Sequence, residues 1–208
     1  MPEDKKGGHL SQKSPFVGRS IELNRLKQAV HEAREGQGNL IVISGESGIG
    51  KSRLAREFSS YSESTGIEVL WGRSYSGRGA PPFWPWVQIT GGYLHSHSPE
   101  EVLTHIGPRA SVIAEMVPHI KEHFPDLPQP IRLDDPEHAR FRFLDSYTTF
   151  LKDAAASSPL MIILDDLHTA DEPTLRLMEF IAYELKHSHL LIVAMFCDTE
   201  VAKKKKPH

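Results

Sequence analysis

The sequence predicts an α/β fold in which helices sandwich a parallel β-sheet. Four short runs of apolar residues alternate with longer segments whose apolar residues recur every three or four positions. Three of the short runs are apolar on both faces, which is typical of strands buried in a parallel sheet, and the one at residues 67–71 contains Glu68. The longer segments predict the helices that cover the sheet. With 208 residues, the chain is long enough for one domain with a sizeable core, or for one domain with a subdomain.

The first half of the chain predicts two helices and two strands. In chain order they are a helix at residues 20–35, a strand at residues 40–43, a helix at residues 51–62 and a strand at residues 67–71. Ser20 is a suitable N-cap for the first helix, and Gly36 and Gly38 end it. The turn between the first strand and the second helix is rich in glycine.

A helical insert is predicted at about residues 72–130, between the second strand and the third. Its proline-rich segment, residues 81–86, is expected to form neither a regular helix nor a central strand, because proline lacks the backbone N–H that both use. Trp84 and Trp86 are expected to pin this segment onto the domain, although they could instead stack on a base or grip a partner. Short helices are expected at residues 87–95, 99–106 and 111–124, followed by an extended connector.

The second half predicts two more helices and two more strands. A long helix at residues 135–156 precedes an apolar strand at residues 160–164. Asp171 is expected to cap the next helix, which leads to a last strand at residues 189–195. The apolar face of the long helix is predicted to carry Phe141, Leu144, Tyr147 and Leu151.

Composition and charge indicate a cytoplasmic protein. The 24 basic and 27 acidic residues give a net charge of −3, which does not select nucleic acid as a bulk partner. Cys197 is the single cysteine, so no internal disulfide is possible, and no apolar run has the ~20 residues that a membrane helix needs. A folded domain is expected at residues 15–201, between a disordered tail at residues 1–14 and a basic tail at residues 202–208.

The glycine-rich turn matches the Walker A phosphate-loop pattern, GxxxxGK[ST], in full. A triphosphate needs several backbone N–H groups that point inward, which glycine permits, and the following helix adds a partial positive charge. Lys51 is expected to bridge the β- and γ-phosphates, and Ser52 to bind Mg²⁺. The alternative, a glycine-rich turn without this role, is disfavoured by the flanking strand and helix. The candidate nucleotide-binding residues are Gly45, Glu46, Ser47, Gly48, Ile49, Gly50, Lys51, Ser52 and Arg53.

Asp165 and Asp166 follow the third apolar run, as a Walker B motif requires. The carboxyl ends of parallel strands meet at one edge of a sheet, so these carboxylates are expected beside the phosphate loop if the two strands are neighbours. Asp165 is then a candidate Mg²⁺ ligand through a water molecule, because Mg²⁺ dehydrates reluctantly. Asp166 and Lys51 are the candidate catalytic residues, with Asp166 as the general base. The alternative is a pair of capping or turn aspartates.

Several segments together resemble the STAND branch of the AAA-related ATPases, and more narrowly its AAA_16 (Orc1-like) module. They are FVGR at residues 16–19, the phosphate loop, the PPFWPW segment at residues 81–86 and LDDLHTAD at residues 164–171. The resemblance covers roughly residues 14–201. It implies a P-loop NTPase sheet of strand order 5-1-4-3-2, here without strand five, and ATP and Mg²⁺ as cofactors. Related modules lie at the front of LuxR-type regulators and beside cyclase domains.

The resemblance also implies roles for single residues. Val17 and Gly18 would lie near the adenine, and His168 would act beside the Walker B carboxylates. Cys197 stands where the family usually has an arginine that can sense the γ-phosphate, which puts efficient hydrolysis in doubt. Arg73 and Arg78, in contrast, are expected to be solvated loop arginines.

The leading hypothesis is an ATP-binding, slowly hydrolysing switch module of a signalling or transcription-regulatory protein, with a missing or separate output domain. One alternative is a module that holds nucleotide with negligible hydrolysis. Another is a DNA-associated ATPase of the origin-recognition kind, which the lack of a basic face or a helix-turn-helix segment disfavours. Without strand five, strand one would be a sheet edge, so self-association is also expected.

Overall fold

The computed structural model describes residues 19–75, 77 and 79–198. Several predictions therefore lie outside the described residues. They are the two tails at residues 1–14 and 202–208, the adenine contacts of Val17 and Gly18, and the solvated position of Arg78.

Eight α-helices and four β-strands alternate along the described chain. The strands are β1 (Asn39–Ile43), β2 (Glu68–Arg73), β3 (Leu160–Asp165) and β4 (Leu190–Met195). The helices are α1 (Ser20–Arg34), α2 (Lys51–Ser64), α3 (Trp84–Ser96), α4 (Pro99–Ile106), α5 (Ala110–Ile113), α6 (His119–His123), α7 (Pro136–Ser157) and α8 (Glu172–Glu184). Short 3₁₀ turns follow α4 and β3.

The four strands form one parallel sheet in the order β1-β4-β3-β2. This confirms the predicted fold class, and the order agrees with 1-4-3-2 for the described strands. The carboxyl ends are in register: Ile43 pairs with Met195 and Arg73 pairs with Asp165. The loops that follow β1, β2, β3 and β4 therefore leave the same edge of the sheet, which is where ligands bind in open α/β folds.

Two hydrophobic clusters cover the two faces of the sheet. Alternate residues of a strand point to opposite faces, so Leu160 and Ile162 of β3 join one cluster and Met161 and Ile163 join the other. The larger cluster contains residues of α3 to α8, and the smaller one contains residues of α1 and α2. No helix in the described parts of the chain is long and apolar enough to cross a membrane.

The proline-rich segment differs from its prediction. Trp84, Pro85 and Trp86 form the first turn of α3, where proline is tolerated because that N–H has no partner within the helix. The role expected of Trp86 is supported, since its ring is fully buried and its Nε1 donates a hydrogen bond to the Thr174 carbonyl oxygen of α8 at 3.1 Å. A Cβ on Gly72 would overlap the Pro85 carbonyl oxygen, so β2 and α3 pack backbone against backbone.

Three smaller expectations were wrong. Ser20 is the first helical residue and Arg19 is the N-cap, without a side-chain capping bond. The helix predicted at residues 111–124 is broken into α5 and α6, with Pro118 at the start of the second piece. Phe141 is 59% exposed, because the buried face of α7 is centred on Tyr147 and Leu151 instead.

Candidate functional site

The phosphate-loop sequence forms an exposed turn between β1 and α2. Gly45, Gly48 and Gly50 have φ angles of 155°, 81° and 94°, and positive φ angles of this size are accessible mainly to glycine. Gly50 is the N-cap of α2, and no side chain in the described chain caps that helix. The N-terminal end of the α2 dipole therefore favours an anion at this turn.

Lys51 begins α2 and folds back over the loop. Its Nζ donates to the carbonyl oxygens of Gly45 at 2.8 Å and Glu46 at 2.9 Å. Ser52 is half-buried in the same turn, and Arg53 is exposed. The other loop residues, Glu46, Ser47, Gly48 and Ile49, are also exposed, so ligand access to the loop is open.

Two neighbouring segments hold the loop in place. The N–H of Asp198, just after β4, donates to the Gly45 carbonyl oxygen at 3.2 Å, which places the adjacent, buried Cys197 next to the loop. On the other side, Arg19 Nη2 donates to the Ile49 carbonyl oxygen at 2.6 Å. In the sequence, Arg19 stood out only as the last residue of the FVGR segment. Its contact with Ile49, 30 residues later, could not be predicted from the neighbouring residues.

Asp165 ends β3 and lies at the same sheet edge as the loop. Burial raises its pKa above the ordinary aspartate range, and the neighbouring Asp166 carboxylate raises it further. The N–H of Asp166 and the charges of Arg73 and Lys51 act in the opposite direction. A partly desolvated carboxylate within the electrostatic reach of Lys51 is well suited to bind a cation together with a phosphate.

Asp166 has an unusual backbone and a charged partner. Its φ angle is 55°, a left-handed conformation that is uncommon for a residue with a side chain. Arg73 Nε donates to Asp166 Oδ2 at 2.8 Å, and Arg73 Nη2 lies 2.7 Å from the same oxygen in an ion pair. The side chain of Arg73 is 70% exposed, as expected for a solvated arginine, but Arg73 ends β2 and does not lie in a loop. β2 extends two residues beyond its predicted end and brings the side chain to the Walker B turn.

An open cavity of about 460 Å³ adjoins this ion pair. Residues from the end of β2, from α3 and from the Walker B turn line it, including Arg73, Trp84, Gln88, Asp166 and His168. The predicted role of His168 remains a prediction, although its place beside Asp166 is compatible with it.

The residues present fit a nucleotide with its cation. The loop supplies backbone donors and the Lys51 ammonium, while Ser52 and Asp165 supply the oxygen ligands that Mg²⁺ prefers. No cluster of three or more His, Cys, Asp or Glu side chains suited to a metal occurs among the described residues. Mg²⁺ is usually bound by one or two carboxylates together with phosphate oxygens.

Fold and site together define a P-loop nucleotide-binding protein: a parallel α/β sheet with a Walker A loop after β1 and a Walker B strand two positions away. The chain belongs to the AAA ATPase domain family AAA_16, whose model matches residues 15–193. This family is one of nucleotide-binding ATPase modules.

The chain is also similar to individual proteins. It is 27% identical over 177 residues to an uncharacterised protein of Rhizobium meliloti (strain 1021), a match that covers 78% of this chain and 16% of the relative. It aligns with the solved structure of the Aeropyrum pernix ORC2 protein in ADPNP and ADP complexes, with a TM-score of 0.47 and 14% identity over 95% of this chain and 46% of that chain. The chain thus spans less than half the length of either protein.

Proposed function

We propose that this chain is an ATP-binding, slowly hydrolysing switch module of a signalling or transcription-regulatory protein of the STAND type. The observation that supports the proposal best is the meeting of the two Walker motifs at one sheet edge. There Lys51 lies over the loop carbonyls and its charge acts on Asp165. Phosphate donors, a cationic side chain and a carboxylate ligand are the parts that phosphoryl transfer needs.

Each part has a separate task. The loop N–H groups and Lys51 bind the phosphates, and Ser52 and Asp165 hold Mg²⁺. When bound, the cation neutralises the charge that develops on the transferred phosphoryl group. Asp166 accepts a proton from the attacking water and orients it.

A second candidate is a module that holds ATP with negligible turnover. Cys197 favours it, because this buried residue lies next to the loop where the family resemblance implies a γ-phosphate-sensing arginine. Such an arginine can raise the rate of phosphoryl transfer by up to ~10³-fold or more.

A single-turnover assay separates the two candidates. Purified chain in excess over radiolabelled Mg·ATP is incubated, and bound ATP and ADP are quantified over hours. Slow conversion that Lys51→Ala abolishes supports the switch. Tight binding without conversion supports the holding module. Absence of ATP binding to a folded chain contradicts both.

A further inference from the structure

Arg19 connects the start of α1 to the phosphate loop. It is the N-cap of α1, but its side chain makes no capping bond with that helix. Its Nη2 donates instead to the carbonyl oxygen of Ile49 at 2.6 Å. Among the described residues no carboxylate forms an ion pair with Arg19, so the full charge of the guanidinium strengthens this bond to a neutral acceptor.

The bond fixes one peptide group of the loop. The Ile49 carbonyl and the Gly50 N–H belong to the same peptide, which is trans and planar, so the two groups point in opposite directions. An arginine that holds the carbonyl therefore also sets the direction of the N–H. Gly50 is the N-cap of α2, with a φ angle of 94°, and backbone N–H groups of such a loop are the groups that bind phosphate.

The contacts at the start of the loop differ from this one. The Gly45 carbonyl oxygen accepts from the Asp198 N–H at 3.2 Å and from Lys51 Nζ at 2.8 Å. Lys51 is the expected phosphate ligand, so its bonds to the loop would be exchanged for bonds to phosphate oxygens when a nucleotide binds. The bond from Arg19 goes to a carbonyl near the other end of the loop and need not be exchanged. Arg19 can thus hold the loop in both the empty and the occupied state.

We propose that Arg19 is a positioning residue for the phosphate loop, which directs the Gly50 N–H toward the phosphates and so raises the affinity for nucleotide. The inference rests on the proposed function, because it assigns a task in ATP binding. Adenine contacts are expected of the two preceding residues, Val17 and Gly18, whereas the bond to Ile49 assigns Arg19 to the phosphates. Its loss should therefore weaken every ligand that carries the phosphate chain, with or without a base.

The first test compares a ligand that has a base with one that has none. Arg19→Met removes every donor and keeps an unbranched stem. We expect the Kd of Mg·ATP and the Kd of magnesium-bound inorganic tripolyphosphate to rise by the same factor, about 10-fold, as is typical for the loss of a hydrogen bond to a charged group. Arg19→Lys, which keeps one charged donor, should recover part of this loss for both ligands. Isothermal titration calorimetry gives the two constants.

Arg25→Met is the matched control, because Arg25 is exposed on the same helix. Both dissociation constants should stay within about twofold of the parent values in this variant, as is usual for surface substitutions. A loss of ATP affinity alone in Arg19→Met would assign Arg19 to the base and overturn the proposal. Unchanged affinity for both ligands would overturn it as well.

Turnover separates positioning of the loop from a role in the chemical step. The KM for ATP should rise in Arg19→Met about as much as the Kd, while kcat at saturating ATP stays within about twofold, because the interaction that is lost acts on binding alone. A fall in kcat with an unchanged KM would overturn the assigned task.

The last measurement needs no ligand. Amide hydrogen exchange of residues 45–54 in the nucleotide-free protein should be faster in Arg19→Met than in the parent, and unchanged in Arg25→Met. If the parent binds neither ATP nor tripolyphosphate, the proposed function fails, and this measurement still decides whether Arg19 positions the loop. Equal exchange in Arg19→Met and the parent would overturn that role.

Discussion

The ammonium of Lys51 lies 2.8 Å from the carbonyl oxygen of Gly45, six residues earlier in the chain. The cation thus bonds to a carbonyl oxygen of the turn in which Gly45, Gly48 and Gly50 have positive φ angles. Lys51 and Gly45 are both half-buried, so each keeps contact with solvent. When phosphate oxygens enter the loop, Lys51 can give up two neutral acceptors for charged ones, which form stronger hydrogen bonds.

Lys51→Ala is therefore expected to abolish Mg·ATP binding with little effect on the fold. The side chain contacts two loop carbonyls and is outside both hydrophobic clusters, so its loss removes affinity and not packing. Isothermal titration calorimetry measures the affinity, and thermal unfolding checks the fold. Lys186→Ala, an exposed lysine after α8, is the control. Wild-type affinity in Lys51→Ala would contradict the assignment of the phosphate site.

Asp166→Asn is expected to keep ATP binding and to lower hydrolysis by about 10²- to 10⁴-fold, because an amide cannot accept the proton of the attacking water. Phosphate release under single-turnover conditions is the measurement. Asp126→Asn, in an exposed turn of the insert, is the control. Hydrolysis at the parent rate in Asp166→Asn would show that another group is the base.

Asp165→Asn is expected to stabilise the nucleotide-free protein. The folded-state pKa of Asp165 is raised above its unfolded value, chiefly by burial, so its charged form costs stability at neutral pH. That cost disappears as the pH falls through the raised pKa. Thermal unfolding without nucleotide should show a higher Tm for Asp165→Asn at pH 7 and a smaller difference near pH 4.

The same variant should lose function as it gains stability, because it loses a ligand of Mg²⁺. Its ATP binding is expected to depend less on added Mg²⁺ in a calorimetric titration. Asp145→Asn, an exposed residue of α7, serves as the control for both measurements. A lower Tm at pH 7 in Asp165→Asn would contradict the assigned cost of its charge.

The edge of β1 is expected to mediate self-association. In the described chain β1 pairs with β4 alone, and residues of β1 and α1 line a groove of about 620 Å³. Val42 is 56% exposed on this strand, and unpaired strand groups are a template for another chain. Val42→Lys should reduce the apparent mass in size-exclusion chromatography with light scattering.

Ile131→Lys is the control for the edge, since Ile131 is 80% exposed in the connector before α7. An equal reduction in that variant would point to general surface hydrophobicity. Monomeric parent protein at high concentration would contradict the prediction.

The strands of the sheet could be predicted from the sequence because most of them are short, continuous apolar runs. Each residue of β3 from Leu160 to Leu164 is apolar and buried. A short run of this kind is typical of a strand that is covered on both faces in a parallel sheet. The Walker motifs could also be recognised from the sequence, because the residues of each motif are close together in the chain. The loop residues lie within eight positions, and Asp165 follows five apolar residues as the last residue of β3.

The ion pair between Arg73 and Asp166 was not predictable in this way. It joins residues 93 positions apart and depends on where β2 ends. At that end, Arg73 pairs with Asp165 of β3, and the side chain of Gln88 also bonds to the Arg73 backbone. The apolar pattern of the sequence does not predict this contact, because the pattern stops at Trp71. The backbone of β2 continues to pair with β3 as far as Arg73.

The unequal covering of the sheet has a consequence for local unfolding. The face under α1 and α2 has the smaller buried cluster, and β1, at one edge of the described sheet, has more exposed residues than any other described strand. Local opening requires the least free energy where few apolar contacts are lost, so α1 and β1 should open before β3. The phosphate loop connects β1 to α2 within this weaker half. A bound nucleotide would therefore stabilise the closed state of this half of the molecule. The measured affinity for nucleotide would be lowered by the free energy needed to close it.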